Sequence, residues 1–304
     1  MESERQFRMV SNRTNRRSFL RSVFDTLQKY DFDGLDIFWL SPGLEQSDVQ
    51  PQDKDNLVSL VKEFRQEMNR KNRTDLLLTV AVSLVPFVLD NRFDTFKLNR
   101  YVDWMNAVAY GLRGDWLNVT DVHSPIVPRS IDPPELRELN VRDGMRDLYD
   151  RGAYKRKVMM GIAFYGRVYV LQSSNTGLHA PIDMNREPPP GHIVNSPEIY
   201  SYTEICTYLR EGNWTRRFDE EGKCPYAYGP QPYRYVWAGY DDEESIQYKM
   251  NLMRDEGYAG VMVMSSDMDD FTGVCGKRKN ILLHTINDNL PVEREPIYPM
   301  VSDI

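Results

Sequence analysis

Two carboxylates lie in one short apolar segment, Asp33 and Asp36 in FDGLDIFWL, residues 32–40. This segment has the length and composition of a buried strand, in which every second side chain points to the same side. Asp36, Phe38 and Leu40 are therefore expected on one side, and only Asp36 of these three can exchange a proton. Because acid–base catalysis needs ionisable groups and contributes about 10²–10⁴-fold to a rate, this side of the strand is poorly equipped for it.

An alternation of helices and strands must position these residues. The spacing of apolar residues predicts helices over residues 14–30, 53–69, 142–151, 243–256 and 281–289. Runs rich in apolar and β-branched residues predict strands near residues 35, 80, 106, 161 and 262. Residues 76–84 (LLLTVAVSL) are typical of a strand covered on both faces, as in a parallel sheet. The pattern therefore predicts an α/β fold with βαβ connections.

Residues 168–236 interrupt this alternation. They are rich in Tyr, Pro, Gly and charged residues, they contain the tripeptide Pro188–Pro190, and they lack a long apolar period. We expect a small inserted α+β domain of short strands and loops there, between α/β parts at residues 1–167 and 237–290. Residues 291–304 contain three prolines and are expected to form a loosely attached tail.

Composition and charge argue against several classes of protein. A formal net charge of −7 and a pI of about 5.3 predict no nucleic-acid partner. No run approaches the roughly 18 apolar residues of a membrane span, and the N-terminal segment MESERQFRMV has no apolar core of a secretory signal. The four histidines and three cysteines lack the spacing of metal ligands, so neither a metal nor a cofactor is predicted.

Several segments, taken in chain order, resemble motifs of the family 18 glycoside hydrolases, which include the chitinases. Residues 32–43 (FDGLDIFWLSPG) resemble the fourth-strand motif D-G-x-D-x-D-x-E. Residues 105–116 (MNAVAYGLRGDW) resemble the sixth-strand segment, and residues 160–171 (MGIAFYGRVYVL) the seventh. Further resemblances follow in residues 202–206 (YTEIC), 237–245 (WAGYDDEES) and 257–273. The chain is therefore identified as a member of this family, which implies a (β/α)8 TIM barrel with an inserted domain.

The resemblance begins just before the third helix of the barrel. It implies that the first three strands are absent, that strands 4 to 7 lie in residues 1–167, and that strand 8 and the last helices lie in residues 237–290. Five strands cannot close an eight-stranded barrel, so we expect a barrel that is incomplete at its N-terminus. The resemblance also implies an extracellular, secreted protein.

The family's reaction centre is altered in this sequence. In the family the substrate's N-acetyl oxygen is the nucleophile, a glutamic acid protonates the leaving oxygen, and an aspartate two residues earlier orients the acetamide. By resemblance Leu40 stands at the position of the acid and Phe38 at that of the aspartate, whereas Asp33 and Asp36 keep the first two acidic positions. The resemblance therefore implies a degenerate motif without a catalytic residue.

Two further positions differ from the family pattern, with Gly111 in place of a sixth-strand aspartate and Met264 in place of an eighth-strand tryptophan. Aromatic faces stack on pyranose rings, and a guanidinium donates to their oxygens. On the resemblance, the candidates for carbohydrate contact are Tyr110, Trp116, Tyr165, Arg167, Trp237 and Met264. Structural alternatives remain open, because the two tyrosines could belong to the core, Arg167 could pair with a carboxylate such as Asp241, and the two aspartates of the motif could be structural acceptors.

The resemblance also implies a disulfide between Cys206 and Cys275, which leaves Cys224 unpaired. Such a bond is typical of an oxidising compartment. Four N-x-Ser/Thr tripeptides are candidates for glycosylation and begin at Asn12, Asn72, Asn118 and Asn213.

Three hypotheses follow for the function. The first is a non-enzymatic, chitinase-like protein that binds chitin or N-acetylglucosamine oligomers, or acts as a growth-factor-like or immune-type ligand of an unknown receptor. The second is a weakly active chitinase with a displaced acid, such as Glu45. The third is a fragment without an independent function.

Overall fold

The computed structural model describes residues 9–39, 52–231, 234–276 and 278–291. The helices are α1 Arg13–Tyr30, α2 Asp53–Arg70, α3 Pro86–Arg92, α4 Thr95–Leu98, α5 Val141–Asp150, α6 Tyr202–Arg210, α7 Glu243–Asp255 and α8 Ile281–Asp288. The strands are β1 Gly34–Ile37, β2 Leu77–Ser83, β3 Trp104–Val108, β4 Val158–Ala163, β5 Tyr165–Val170, β6 Ile199–Ser201, β7 Thr215–Asp219, β8 Cys224–Gln231, β9 Arg234–Gly239 and β10 Gly260–Met264. The five helices and five strands predicted from periodicity are confirmed.

The described residues form two compact units. Unit 1 contains residues 9–39, 52–108 and 145–159, and unit 2 contains residues 109–144, 160–231, 234–276 and 278–291. The domain limits expected from composition, at residues 168 and 236, stay a prediction.

Unit 1 is built on parallel strands. β1 pairs with β2, with Gly34 opposite Leu77, and β2 pairs with β3, with Thr79 opposite Trp104. Each of α1 and α2 buries one apolar stripe, as expected of helices that cover a sheet. The rings of Phe24 and Phe64 stack with their centroids 5.0 Å apart and join the two helices. The parallel pairing predicted for this region is therefore confirmed.

Unit 2 contains an antiparallel sheet with the strand order β6-β5-β9-β8-β7. Its strands lie between residues 165 and 239, so it overlaps the segment in which an inserted domain was expected. Beside it, β4 and β10 are neighbouring strands, and the N–H of Phe164 donates to the carbonyl of Met264 at 2.8 Å.

A disulfide joins Cys206 on α6 to Cys275, with the two Cα atoms 5.4 Å apart, so the predicted pairing is confirmed. The loop before Cys275 is held by the carboxylate of Asp270, which accepts the backbone N–H groups of Gly273, Val274 and Cys275 at 2.6–3.0 Å. Cys224 is buried and carries a free thiol. Across the described ranges, no helix combines the length and the apolar composition needed to cross a bilayer.

Candidate functional site

The carboxylate of Asp36 links the three parallel strands of unit 1. One of its oxygens accepts a hydrogen bond from the Thr79 hydroxyl at 2.5 Å and another from the Asn106 amide at 3.0 Å. The Asn106 side-chain oxygen in turn accepts from the indole N–H of Trp104 at 3.1 Å. Asp36 therefore serves as the structural acceptor that the sequence left open as an alternative.

Phe38 follows β1 and is 38% exposed, so at this position the chain presents an aromatic ring and no ionisable group. The carbonyl of Asp33 accepts from the N–H of Leu77 at 2.8 Å, which extends the pairing of β1 with β2. Leu40 and Glu45 lie outside the described residues. The motif positions that the structure describes therefore contribute hydrogen bonds and an apolar surface.

Three rings pack together in unit 2. Tyr110 and Tyr165 meet edge to face with centroids 6.1 Å apart, and His123 stacks on Tyr165 at 5.3 Å. The backbone N–H of Gly111 donates to Nδ1 of His123 at 3.3 Å, and burial lowers the pKa of His123 to about 4. The imidazole is therefore neutral at neutral pH and acts here as an acceptor and a stacking surface.

Gly111 has a φ of +63°, in the left-handed region that favours glycine. Most side chains adopt this backbone conformation only rarely, although aspartate and asparagine tolerate it better than others. The phenol of Tyr165 lies 3.7 Å from the point where a Cβ atom of residue 111 would stand. Burial raises the pKa of Tyr165, so its hydroxyl stays protonated at neutral pH.

Arg167 and Trp116 form the polar and aromatic parts of an open surface in unit 2. The guanidinium of Arg167 lies 5.2 Å from the centroid of the Trp116 ring, and its Nη1 atom is 3.7 Å from the carboxylate of Asp115. Trp116 is 38% exposed. The buried Nε of Arg167 has no hydrogen-bond acceptor among the residues that the structure describes. This arrangement offers a ligand the exposed part of one indole ring and, beside it, a partly exposed guanidinium group.

Trp237 lies opposite Tyr169 in the β5–β9 pair and is fully buried. Its ring is stacked between Tyr169, at 5.8 Å, and Tyr226, at 5.4 Å. The ring presents no surface to solvent, so its predicted contact with a sugar has no support in the structure. Met264, at the end of β10, is half-buried.

Unit 2 also contains a network of buried ions. Asp132 accepts from Arg113 at 2.8 and 2.9 Å and from Arg129 at 2.7, 2.9 and 3.0 Å. Arg129 also pairs with Asp121 at 2.8 Å and with Asp219 at 3.1 Å. For Asp132 desolvation alone would raise the pKa, but the hydrogen bonds from the two guanidinium groups lower it far more.

Asp121, Asp132 and His179 bring their ligand atoms within 4.8 Å of one another, which is compatible with a metal ion. The carboxylates are already saturated by Arg113 and Arg129, whose positive charges oppose a cation at this point. The two carboxylates and the histidine are therefore better described as part of an internal ion-pair network than as a metal site.

A second buried ion pair involves Asp241, at the entry to α7. Its carboxylate accepts from Lys249 at 2.5 Å, from Ser245 at 2.7 Å and from Ser124 at 3.3 Å. Since Asp241 is saturated by these groups, the alternative that pairs it with Arg167 is not realised, and the carboxylate beside Arg167 is Asp115.

The four tripeptides for glycosylation all present an exposed asparagine: Asn12, Asn72, Asn118 and Asn213. Asn12 also caps α1, because its side-chain oxygen accepts from the N–H of Thr14 at 2.7 Å. Exposure leaves each of these amides accessible in the folded chain.

The sequence profile of the glycosyl hydrolases family 18 matches residues 2–269. The chain belongs to this family. It is 37% identical over 294 residues to an endochitinase of Manduca sexta, an alignment that covers 95% of this chain and 52% of the endochitinase. The chain thus spans about half the length of the curated relatives it matches.

Solved structures of family 18 proteins share the fold. A glutamate-to-leucine variant of catalytic domain 2 of the Ostrinia furnacalis Group II chitinase, in complex with a penta-N-acetylchitooctaose, superposes with a TM-score of 0.86 at 32% identity, covering 95% of this chain and 74% of that one. Human YKL-39 is described as a pseudo-chitinase with retained chitooligosaccharide binding properties. It superposes with a TM-score of 0.82 at 27% identity, and the alignment covers 92% of this chain and 75% of YKL-39. The predicted TIM-barrel fold and family membership are therefore confirmed.

Sequence reasoning gave no role to His123, Asp115 or the ion network around Asp132. The segment HSPI, residues 123–126, follows the sixth-strand motif and resembles the family there, but no contact was assigned to its histidine. Asp115 immediately precedes a candidate tryptophan and could have been considered with it. The ion network gives no such signal, because Arg113, Asp132 and Asp219 are far apart in the chain and meet only after folding.

Proposed function

We propose that this chain is a non-catalytic, chitinase-like protein that binds N-acetylglucosamine oligomers. The observation that carries the proposal is the partly exposed ring of Trp116. It is taken together with Phe38 and Leu40, which by resemblance stand at the positions of the family's two reacting carboxyls. A protein without the acid loses proton transfer to the leaving oxygen. Sugar stacking depends on ring surface and does not need that acid.

The surface around Trp116 has the chemistry that a neutral sugar requires. The ring face can cover the apolar face of a pyranose. The partly exposed guanidinium of Arg167 can donate to a hydroxyl or acetamide oxygen of such a sugar. Binding by human YKL-39, described as a pseudo-chitinase, gives a precedent in the same family.

Calorimetric titration of the purified chain with chitotetraose and chitohexaose tests the proposal. Trp116→Ala removes the stacking surface and is expected to weaken binding about tenfold. The matched control is Tyr149→Ala, which removes another half-exposed ring, on α5. Wild-type protein that shows no heat of binding even at millimolar oligosaccharide would end the proposal, as would equal weakening in both variants.

A second candidate function is weak hydrolysis with a displaced acid, which the 37% identity to an endochitinase favours. The discriminating measurement is release of a fluorophore from a chitobioside by the purified chain. We expect no turnover above that of the buffer. Turnover that disappears in Glu45→Gln would establish the hydrolase and refute the non-catalytic proposal.

We further propose that the chain acts in an oxidising, extracellular setting and carries N-linked glycans. The disulfide Cys206–Cys275 supports the first part, and the exposure of the four candidate asparagines supports the second. Mass spectrometry of the protein from a eukaryotic culture medium, before and after enzymatic deglycosylation, checks both.

A further inference from the structure

Three arginines follow one another at four-residue intervals along the N-terminal half of α1. Arg13, Arg17 and Arg21 are all exposed. Side chains four residues apart are neighbours on one side of a helix. At 1.5 Å per residue, the row extends for about 12 Å along the axis. These three residues are called the arginine row below.

Within the part of the chain that the structure describes, the arginine row is unpaired. Among the described residues, no carboxylate forms an ion pair with Arg13, Arg17 or Arg21. The nearby Arg16 behaves differently, because it is buried and its guanidinium binds both carboxylate oxygens of Glu63, at 2.7 and 3.1 Å. Folding therefore uses one arginine of this segment and leaves three directed to solvent.

The arginine row is unfavourable for the helix that carries it. Like charges four residues apart repel each other. Cations near the start of a helix also oppose its dipole, and α1 has no acidic residue in its first turn. In a chain of net charge −7, the described residues thus leave this basic row without a compensating carboxylate. Such local conflicts are expected at functional surfaces.

We propose that the arginine row binds a linear sulfated polysaccharide. Guanidinium groups form paired hydrogen bonds with planar or tetrahedral oxyanions, and a row of about 12 Å can meet successive anionic groups of a linear polymer. The disulfide Cys206–Cys275 points to an oxidising compartment, where sulfated polysaccharides are the common polyanions. The row lies in unit 1 and involves neither Trp116 nor Arg167, so this inference is independent of the proposed binding of chitin oligomers.

The test compares heparin binding by three forms of the full chain at physiological ionic strength, with fluorescence polarisation of a labelled heparin octasaccharide. In Arg13→Gln/Arg17→Gln/Arg21→Gln the row is removed, and glutamine keeps the helix propensity. The control Lys62→Gln/Arg146→Gln/Arg217→Gln makes the same change in net charge at scattered exposed positions. We expect the affinity to fall about thirtyfold in the first variant and less than threefold in the control.

Circular dichroism and thermal unfolding verify that both variants are folded. A third variant, Arg13→Lys/Arg17→Lys/Arg21→Lys, keeps the charge and is expected to retain part of the affinity. The proposal fails if the wild-type chain does not bind heparin at this ionic strength, or if the control loses as much affinity as the row variant. It also fails if duplex DNA of equal charge binds as tightly as heparin, since the row would then be a general polyanion surface.

Discussion

Replacing Asp132 by asparagine should strongly destabilise unit 2. The carboxylate accepts five hydrogen bonds at 2.7–3.0 Å from Arg113 and Arg129, and all three side chains are almost completely buried. Asparagine keeps the shape but removes the negative charge and points a donor group at guanidinium donors. Two buried cations would then share the remaining carboxylates, Asp121 and Asp219.

The expected loss follows from the burial of this network. Breaking a buried ion pair by removing one partner costs about 3–5 kcal/mol, because the other charge stays buried without compensation. For a urea m-value of about 2 kcal/mol/M, this loss lowers the unfolding midpoint by about 2 M. That is a large part of the roughly 5–15 kcal/mol that stabilises a typical domain.

Urea unfolding followed by tryptophan fluorescence measures this effect in the oxidised protein. Asp115→Asn is the matched control, because Asp115 is exposed and its contact with Arg167 is 3.7 Å long. The control should change the free energy of unfolding by less than about 1 kcal/mol. An Asp132→Asn protein that unfolds within about 1 kcal/mol of the wild type would refute the reasoning from burial.

Three further outcomes are expected. Asp121 and Asp132 have folded-state pKa values below the unfolded value of about 3.9, because hydrogen bonds and charges from their partners outweigh desolvation. The stabilisation that they provide is present above that pH and is lost as the pH falls further. At pH values below about 4 the urea midpoint of unfolding should therefore decrease, and it should decrease less steeply in Asp132→Asn. Replacing Cys206 and Cys275 together by serine opens a loop spanning 69 residues and should cost about 4 kcal/mol, with no further loss when a reductant is added. Asp36→Ala leaves two donors without their acceptor and should lower the urea midpoint by an amount that corresponds to about 1–3 kcal/mol.

The main helices and parallel strands could be predicted because one physical signal dominates each of them. The apolar stripe of α1 that contains Phe24 is buried, and so are nearly all the side chains of β2. The strands β6 to β9 were not predicted individually, because they are short and interrupted by Pro, Gly and charged residues. Their order comes from pairing between distant segments, which periodicity does not encode.

The candidate site could be predicted in its residue types and less well in its contacts. Trp237 is an aromatic residue in a family motif, but the register of β9 with β5 places it opposite Tyr169, inside the core. Arg167 was assigned a possible partner in Asp241, but Lys249 occupies that carboxylate. In the first example the deciding contact joins two strands whose relative register only the folded chain defines. In the second it is local, because Lys249 lies eight residues after Asp241 on the helix that follows it.

The bond between Cys206 and Cys275 closes a covalent ring that contains β7, β8, β9, α7 and β10. The turn at residues 211–213 is exposed and lies inside this ring, just after α6. A protease that cuts this turn therefore produces a nicked protein whose two pieces remain joined through sulfur. Such a molecule migrates as one band on a non-reducing gel and as two after reduction, and its sheet strands stay at high effective concentration and can remain paired.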